Sequence, residues 1–538
     1  MRIEISHPSA GRVISDIIMV VLLVWTAMCL VNNNIINGRT GTWGILYNDY
    51  VSKVALMAVV YSVSRLCFTI HFQCSRIILY VVLCAVSLRE MSFCILQLLH
   101  GNGALTGTMG NSGLLGGLIS VCLCVFGAEI VKSGRYIRLL FLLPLIALEI
   151  ASFSRASWLS CLTVTCILCL KNKRLNHWIS KWRNLLFPSV FIVGIVIYYL
   201  KKESADSRMF MNLMILRNCY KVGLFGVGPG NYCGFYGRSL FDYFLSKGCG
   251  HNDSSIECVE VLTRERIVAG LPDCSYNELL RAFVETGFVG ALLLTAVCLL
   301  AFLRLYRNND PMSYGFLALL IFSQFSFPSM EPLFCGLFAI LLASGASTFD
   351  IKRQNEIRWY HMVCPLLCFL VFVSLSNTRK VDSLYKELIE MQDLFDLGLY
   401  DDAAKTGALI YGQGYASPKF LLMYGMALRN INEYDKSDKV IHHGLEMSVS
   451  PEFWKVLGDN SVSKGDYLMA EKHYLHSFIM MPNRLQPLLD LAILYNLIGE
   501  TKNLSRIGTC TQRMIPKIEN EKTKCIKEEI MALQKAER

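Results

Sequence analysis

The sequence predicts an all-α protein, in which a polytopic membrane helix bundle is followed by an α-solenoid of short helical repeats. Apolar residues make up 53% of the 538 positions and charged residues only 17%, against about 25% charged in soluble proteins. The charge is concentrated in residues 380–538, which hold 42 charged side chains among 159 positions, whereas the first 379 positions hold 52. A repeat of 33 to 34 residues also runs through that charged part. These observations exclude a soluble globule and predict a membrane domain over 1–378 and a repeat domain over 379–538.

Eleven apolar stretches indicate the membrane helices, although several are shorter than the roughly 20 residues that cross a bilayer. The first of them exceeds the apolar core of a signal peptide and has no small residues at a cleavage site, so we expect it to remain as a helix. The stretches are 13–31, 54–70, 77–99, 114–131, 137–153, 158–170, 186–200, 279–303, 316–327, 333–346 and 362–375.

Lys and Arg in the short connections predict the orientation of these helices, because cytoplasmic loops carry the excess of basic residues. Sixteen lie on one set of helix ends, and three, Arg39, Lys53 and Arg155, lie on the opposite set. The amino terminus is therefore expected inside the cell, and the loop 201–277 and the repeat domain outside the cytoplasm. The net charge of +10 follows from this bias and is not a nucleic-acid footprint, so no nucleic-acid partner is expected.

The carboxy-terminal repeats match the spacing of the tetratricopeptide repeat, a helical hairpin that stacks on its neighbours. Small residues in the pattern let the two helices of a hairpin approach closely, and such arrays bind partners on a concave face. We therefore expect a protein partner for the repeats. The matching positions are Trp454, Leu457, Gly458, Tyr467, Ala470, Tyr474 and Pro482, with Tyr424, Gly425 and Tyr434 upstream and Leu491, Ala492 and Tyr495 downstream.

Charged residues inside the apolar stretches are costly unless they are paired or face a cavity. Arg65, Arg89, Glu90, Glu149 and Glu285 are in this position. Arg89 and Glu90 lie on a helix that leads to the outer side, so they either line a substrate cavity or form a structural ion pair.

The large external loop 201–277 is the main concentration of polar groups in the membrane half. It contains Arg208 and the run Gly226-Val-Gly-Pro-Gly-Asn231, and it ends on Tyr276-Asn277. No Lys-Ser or Lys-Thr follows the glycines and no strand precedes them, which argues against a nucleotide-binding loop. A turn that lets backbone approach a ligand or another helix is favoured.

Five short motifs, taken in order, resemble the bacterial O-antigen ligase and O-antigen polymerase family. The resemblance extends over about 106–348 and is strongest between Thr106 and Gly290. It implies an integral membrane glycosyltransferase that takes a glycan from a polyprenyl diphosphate carrier on the outer side of the inner membrane. The matching residues are Thr106-Gly107-Thr108 with Asn111, then Ser154-Arg155, then Arg208, then Gly226, Gly228, Gly230 and Asn231, and finally Asn277, Glu285, Gly287 and Gly290.

The resemblance also identifies candidates for the general base. Tyr276 occupies the position where many relatives carry a histidine proposed as catalytic. A phenol with a pKa near 10 is a poor base at neutral pH unless a neighbouring cation lowers that pKa, so Tyr276 either acts as the base or only packs or binds sugar. His251 is the second candidate. Glu285 is the third residue of this catalytic group, and we expect it to orient an arginine.

The donor bond is already activated, so the reaction needs no ATP. The enzyme must neutralise a departing diphosphate, a task that suits the planar, permanently charged guanidinium group. Arg155 and Arg208 are the first choices for this task. Arg217 and Arg281 are second choices that could equally be interfacial anchors. No set of carboxylates has the spacing of a divalent-metal site, so a metal-independent reaction without a cofactor is expected.

Several functions remain open at this point. The acceptor is a lipid or a glycan, because ligase and polymerase share these motifs, and protein O-oligosaccharyl transfer is a further alternative. From other classes, a polysaccharide exporter or a membrane-anchored scaffold would also be multi-pass. The single dominant loop and the lack of an evident two-fold repeat favour an enzyme over a transporter. The expected location is the bacterial inner membrane, with the amino terminus cytoplasmic and the repeat domain periplasmic.

Overall fold

A computed structural model describes residues 8–36, 49–101, 104–172, 202–247, 263–272, 274–347 and 378–536, together with a few isolated positions between 176 and 199. Over these residues the protein is all-α: helices and their connections account for the chain, and none of the described positions is in a strand. The predicted fold class is confirmed at this level.

Twelve helices make up the described part of the membrane half. Three of them, α7, α8 and α9, lie in the segment 201–277, which the charge pattern predicts to be an external loop. The helices are α1 (Pro8–Ile36), α2 (Asp49–Ile70), α3 (Phe72–Leu99), α4 (Ser112–Ser133), α5 (Leu143–Ala151), α6 (Arg155–Lys171), α7 (Lys202–Arg217), α8 (Tyr232–Ser246), α9 (Thr263–Val268), α10 (Glu278–Arg307), α11 (Met312–Phe322) and α12 (Pro332–Ser347).

Four described helices are long and apolar enough to cross a membrane: the Lys53–Ile70 part of α2, and α3, α4 and α10. Shorter apolar helices accompany them, namely Ser15–Cys29 within α1, together with α11 and α12. By length and composition the chain is a membrane protein. The predicted stretches 186–200 and 362–375 lie largely or wholly outside the described residues, so the number of eleven spans stays a prediction.

The centre of the bundle is α4, which packs against α3, α5, α6 and α11. Its small residues allow this close packing, since a Cβ at Gly117 would overlap the ring of Phe322 on α11. Two further pairs, α2 with α12 and α1 with α10, complete the bundle. On α3, by contrast, Ile77 and Val81 are 62% and 61% exposed. An exposed apolar face of this kind matches a lipid-facing surface.

Charged side chains lie at both ends of the bundle. At one end Arg76 pairs with Asp310 at 3.4 Å and with Glu129 at 3.5 Å, and the Lys171 ammonium group lies 3.8 Å from the ring centre of Tyr306. The starts of α4, α6 and α10 form the opposite end, where Arg155 lies. Arg76 and Lys171, two of the basic residues that the charge pattern assigned to one side, therefore lie at the same end of the bundle. The orientation in the membrane stays a prediction.

The carboxy-terminal part consists of nine described helices in which each packs on the next. A Cβ at Gly425 would overlap Ile441, and one at Gly458 would overlap Tyr474, so the helices approach closely at both glycines. The assignment to tetratricopeptide repeats stays a prediction. The helices are α13 (Thr378–Asp396), α14 (Tyr400–Gly412), α15 (Pro418–Asn430), α16 (Tyr434–Met447), α17 (Pro451–Ser463), α18 (Tyr467–Met480), α19 (Gln486–Ile498), α20 (Thr501–Arg513) and α21 (Glu521–Ala536).

The repeat part packs directly on the helices of the external loop. Helix α8 lies against α16 and α18, and Val449 and Met480 share an apolar cluster with Tyr236 and Phe244 of α8. A Cβ at Gly237 would lie 2.6 Å from the carbonyl oxygen of Val449, so backbone meets backbone at this glycine.

Candidate functional site

Arg208 and Tyr276, predicted separately from two motifs, are in contact. The guanidinium carbon of Arg208 lies 4.3 Å from the centre of the Tyr276 ring, an arrangement in which the cation is attracted to the face of the ring. Nη1 of Arg208 donates a hydrogen bond of 2.6 Å to the carbonyl oxygen of Phe325, and the edge of Phe327 packs on Tyr276 with ring centres 5.2 Å apart. The Tyr276 ring thus contacts one face of the guanidinium group of Arg208, and the Phe325 carbonyl binds one of its nitrogens.

Arg155, the first residue of α6, lies within electrostatic reach of Arg208. Burial lowers the pKa of Arg208, Tyr276 raises it, and the like charge of Arg155 lowers it again. An arginine nevertheless stays protonated in proteins, so two positive charges are held near each other at this end of the bundle. Such a pair repels unless an anion lies between the two groups.

The local backbone explains the position of Arg155. Phe153 has a positive φ of 50°, which turns the chain sharply between α5 and α6. The hydroxyl of Ser154 then donates to the Gly113 carbonyl at 3.3 Å, and Asn111 caps α4 by accepting from the Gly113 and Leu114 amides. The Ser154-Arg155 motif is therefore fastened to the start of α4.

The Thr106-Gly107-Thr108 motif is held by two side chains of α3. Glu90, which is fully buried, accepts a hydrogen bond of 2.8 Å from the Thr108 amide and pairs with Arg89 at 2.7 Å. Gln97 accepts from the amides of Thr106 and Gly107, at 3.1 Å each. Arg89 and Glu90 thus form the structural ion pair that the sequence left as one of two possibilities.

Helix α10 is broken near its first third, and the glycine-rich loop fills the break. Gly287 has φ 71° and ψ −177°, which interrupts the helical hydrogen bonds and leaves carbonyl groups without partners. The Val227 amide donates to Val284 at 2.8 Å, and the Gly228 amide donates to Glu285 at 3.0 Å. A Cβ at Gly226 would lie 2.6 Å from the Glu285 carbonyl oxygen. This loop therefore binds another helix, which is the second of the two roles the sequence favoured for it.

Arg281 and Glu285 form a buried ion pair one turn apart on the broken helix. Nε of Arg281 lies 3.2 Å from Oε1 of Glu285, and the side chains are 8% and 1% exposed. Nη1 of Arg281 also donates to the Ser329 hydroxyl at 3.0 Å. Glu278 accepts from the amide and the hydroxyl of Ser329, at 2.9 and 2.7 Å. Glu285 therefore pairs with an arginine, and its role in the reaction stays a prediction.

A cavity of about 510 Å³ begins at this polar cluster. Lys53, Glu278, Arg281 and Ser329 contribute to its lining, and the rest is mainly apolar side chains of α1, α2, α10, α11 and α12. A cavity with an apolar body and a few polar groups suits a ligand that has a long apolar part.

The other predicted site residues either lie apart from this cluster or stabilise the loop and the helix start beside it. The guanidinium carbon of Arg217, nine residues further along α7 than Arg208, lies 5.4 Å from the centre of the Tyr243 ring. Asn231 donates to the Val227 carbonyl at 3.1 Å within its own loop. Asn277 caps α10 by accepting from the Leu280 amide at 2.9 Å. His251 lies outside the described residues, so its candidacy stays a prediction.

Sequence reasoning missed several groups that shape the site. The carbonyl of Phe325 and the side chains of Phe327 and Ser329 belong to the short connection between α11 and α12, which carries no motif. Nε1 of Trp25 donates a hydrogen bond to the Thr286 carbonyl at 2.8 Å, and no local pattern in the sequence predicts this bond. Lys53 had a signal, because it is one of three basic residues predicted on the outer ends.

No protein-family model matches the chain, and a search of characterised proteins finds no significant relative.

Proposed function

We propose that the protein is a membrane glycosyltransferase that moves a glycan from a polyprenyl diphosphate carrier to an acceptor hydroxyl on the outer face of the bacterial inner membrane. In this proposal the amino terminus is cytoplasmic and the repeat domain periplasmic. The observation that carries the proposal is the pair of arginines, Arg155 and Arg208, held within electrostatic reach of each other. Two guanidinium groups within electrostatic reach of each other at the end of an apolar bundle suit a diphosphate attached to a lipid.

The chemistry follows from the groups present. The acceptor oxygen attacks the anomeric carbon of the donor sugar, the bond between that carbon and the diphosphate oxygen breaks, and the diphosphate leaves on its carrier. Arg155 and Arg208 stabilise the charge that grows on the departing diphosphate, which contributes most in the transition state. The proton of the acceptor hydroxyl passes to a base. Tyr276 is the first candidate, because it lies against Arg208, and His251 is the second.

The apolar cavity supports the lipid part of the proposal. Its polar lining residues Glu278 and Ser329 follow two residues after Tyr276 and Phe327 in the sequence. Tyr276 contacts Arg208, and Phe327 packs on Tyr276. We propose that the prenyl chain of the carrier lies in this cavity while its diphosphate reaches the two arginines. An O-antigen ligase activity, with a lipid acceptor, is the leading form of the proposal. Polymerisation of repeat units and protein O-oligosaccharyl transfer use the same donor.

The test is transfer of glycan in cells and in membranes with Arg208→Ala. We expect a loss of about two orders of magnitude or more, because a charge-assisted contact worth about 3 kcal/mol is removed from the transition state. Arg208→Lys should restore little, since an ammonium group cannot lie flat on Tyr276 and hold the Phe325 carbonyl as well. Lys221→Ala is the matched control, because Lys221 is on the same side of the membrane and pairs with exposed Asp242 at 2.7 Å.

The outcomes separate the classes of function. Carrier-linked chains that accumulate in the Arg208→Ala strain, with full membrane levels of the protein, support a ligase. Surface lipid that carries a single repeat unit supports a polymerase. Glycan that fails to appear on the outer face at all indicates an exporter. Normal transfer by Arg208→Ala overturns the proposal and leaves the scaffold, in which the repeats act alone. Tyr276→Phe should reduce turnover more than donor binding, and a silent His251→Ala would then settle the base.

A further inference from the structure

Glu149 on α5 has a buried carboxyl group with no charged partner among the described residues. It is 5% exposed, and neither of its side-chain oxygens accepts a hydrogen bond from the described residues. The exposed surface around α5 is apolar: Phe141, just before the helix, and Ile150, on the helix, are 81% and 58% exposed. An ionised carboxylate in such a place costs several kcal/mol unless it is paired.

The donors around Glu149 form hydrogen bonds with backbone carbonyls. Trp158 and Ser152 donate to the backbone carbonyl of Glu149 itself, at 2.9 and 2.7 Å. The hydroxyl of Ser157 donates to the Ser154 carbonyl at 2.8 Å, and the thiol of Cys161 lies 3.9 Å from the Ser120 carbonyl. The Ser157 hydroxyl also lies beside the carboxyl group of Glu149, and its oxygen can accept a hydrogen bond from a protonated carboxyl group. A protonated carboxyl group can donate to such an acceptor, and a carboxylate cannot.

The titratable groups that face Glu149 from the packed helices are thiols. They are Cys161 on α6, Cys124 behind it on α4, and Cys94 of α3 in the adjoining apolar cluster. None of them carries a positive charge that would hold a carboxylate.

We propose that Glu149 is a proton-binding site of the membrane domain, uncharged in the resting protein and able to release its proton reversibly. A glutamine would fill the same space, so what distinguishes the carboxyl group is exchange of a proton. Glu90 is the matched contrast. It is equally buried, but Arg89 and Thr108 donate to it, so it is ionised.

Infrared difference spectra of the full-length protein in lipid test the proposal without any need for reagent access. The spectrum of wild type minus Glu149→Gln should contain the carbonyl stretch of a protonated carboxyl group at neutral pH, and the band should disappear and return as the pH is raised and lowered. The spectrum of wild type minus Glu90→Gln should contain only carboxylate bands. No protonated band in the Glu149 spectrum, or a band that does not titrate, overturns the proposal.

An apolar carbodiimide supplies a second readout. The acid adds across one C=N bond of the reagent: its oxygen bonds to the central carbon, its proton moves to a nitrogen, and no group leaves. We expect mass spectrometry to find the adduct on Glu149 and not on Glu90, with labelling that falls as the pH rises. Labelling of Glu90 in preference to Glu149 would contradict the assignment. Neither readout depends on glycan transfer, so this proposal and the proposed function can fail separately.

Discussion

Trp25 and Thr286 join the first membrane helix to the break in α10, through a hydrogen bond of 2.8 Å from the indole Nε1 to the Thr286 carbonyl oxygen. The break at Gly287 removes helical partners from the three preceding carbonyls. The amides of Val227 and Gly228 donate hydrogen bonds to two of these carbonyls, and the indole of Trp25 donates to the third. Because Arg281 and Glu285 lie just before the break, these bonds fix the position of the buried ion pair.

We predict that the break is essential to the fold of the site. Gly287→Ala should be severely destabilising, because its φ of 71° suits glycine and the new Cβ would overlap the Leu224 carbonyl. Trp25→Phe removes one part-buried hydrogen bond and should cost about 1 kcal/mol, a fall of about 1 degree in Tm for a chain of 538 residues. The measurement is thermal unfolding of the full chain in detergent.

Gly223→Ala is the control for this series. Gly223 is in the same loop, but a Cβ there would meet no atom within 4 Å, so its Tm should equal that of the wild type. If Gly287→Ala were as stable as Gly223→Ala, the loop would not be filling a break that the fold requires.

The sequence predicted the helical membrane half, because hydropathy is a property of each segment alone. It also singled out Arg208 and Tyr276, which are in contact in the structure, and Arg155, which lies within electrostatic reach of Arg208. It could not predict that Arg217, on the same helix as Arg208, lies beside Tyr243. A helix of 16 residues is roughly 24 Å long, so which of its arginines reaches a site depends on tertiary packing.

The contact of the repeats with the loop should matter for transfer. Asn483, 4% exposed, donates to the Arg266 and Ala269 carbonyls at 2.9 Å each. The Ser207 hydroxyl in turn donates to the Val268 carbonyl at 2.7 Å, and Ser207 precedes Arg208. The repeat part is therefore bonded to the segment that positions the arginine.

We predict that Asn483→Ala increases hydrogen exchange in residues 263–272 and lowers transfer on the order of tenfold, the effect of about 1.4 kcal/mol. The exposed Asn496 on the next helix provides the control, and Asn496→Ala should change neither quantity. Unchanged exchange in 263–272 would show that Asn483 does not hold this segment.

Acid should weaken the junction between repeats and loop. The His476 ring packs on Trp454 and Phe241, with ring centres 4.7 and 5.4 Å apart. Burial lowers the pKa of His476 to about 4, and the positive charge of His473 and Lys472 acts in the same direction. The unfolded chain, with a histidine pKa of 6.5, binds more protons than the folded protein between these values. Stability is thus fully present above about pH 6.5 and is lost progressively as the pH falls toward about 4.

We predict that His476→Phe reduces this loss, because phenylalanine keeps the aromatic contacts and cannot be protonated. The measurement is the difference in Tm between about pH 7.5 and about pH 4.5, which should be smaller in the variant by a few degrees. His100→Gln replaces an exposed histidine and should leave that difference unchanged. If the Tm fell equally in wild type and in His476→Phe as the pH was lowered, protonation of carboxylates and not of His476 would explain the loss of stability.

The orientation of the chain can be measured with its own cysteines. Cys219 in the external loop and Cys525 in the repeat part are exposed, and Cys74 is exposed at the end of the bundle where Arg76 lies. We expect an impermeant maleimide to label single-cysteine variants at 219 and 525 in spheroplasts, and to label the variant at 74 only after permeabilisation. A polyprenyl diphosphate glycan is presented on one face of the membrane only, so the side of Cys219 decides whether the donor can meet Arg208. Labelling of Cys74 with protection of Cys219 would place both arginines on the cytoplasmic face, out of reach of a donor on the outer face.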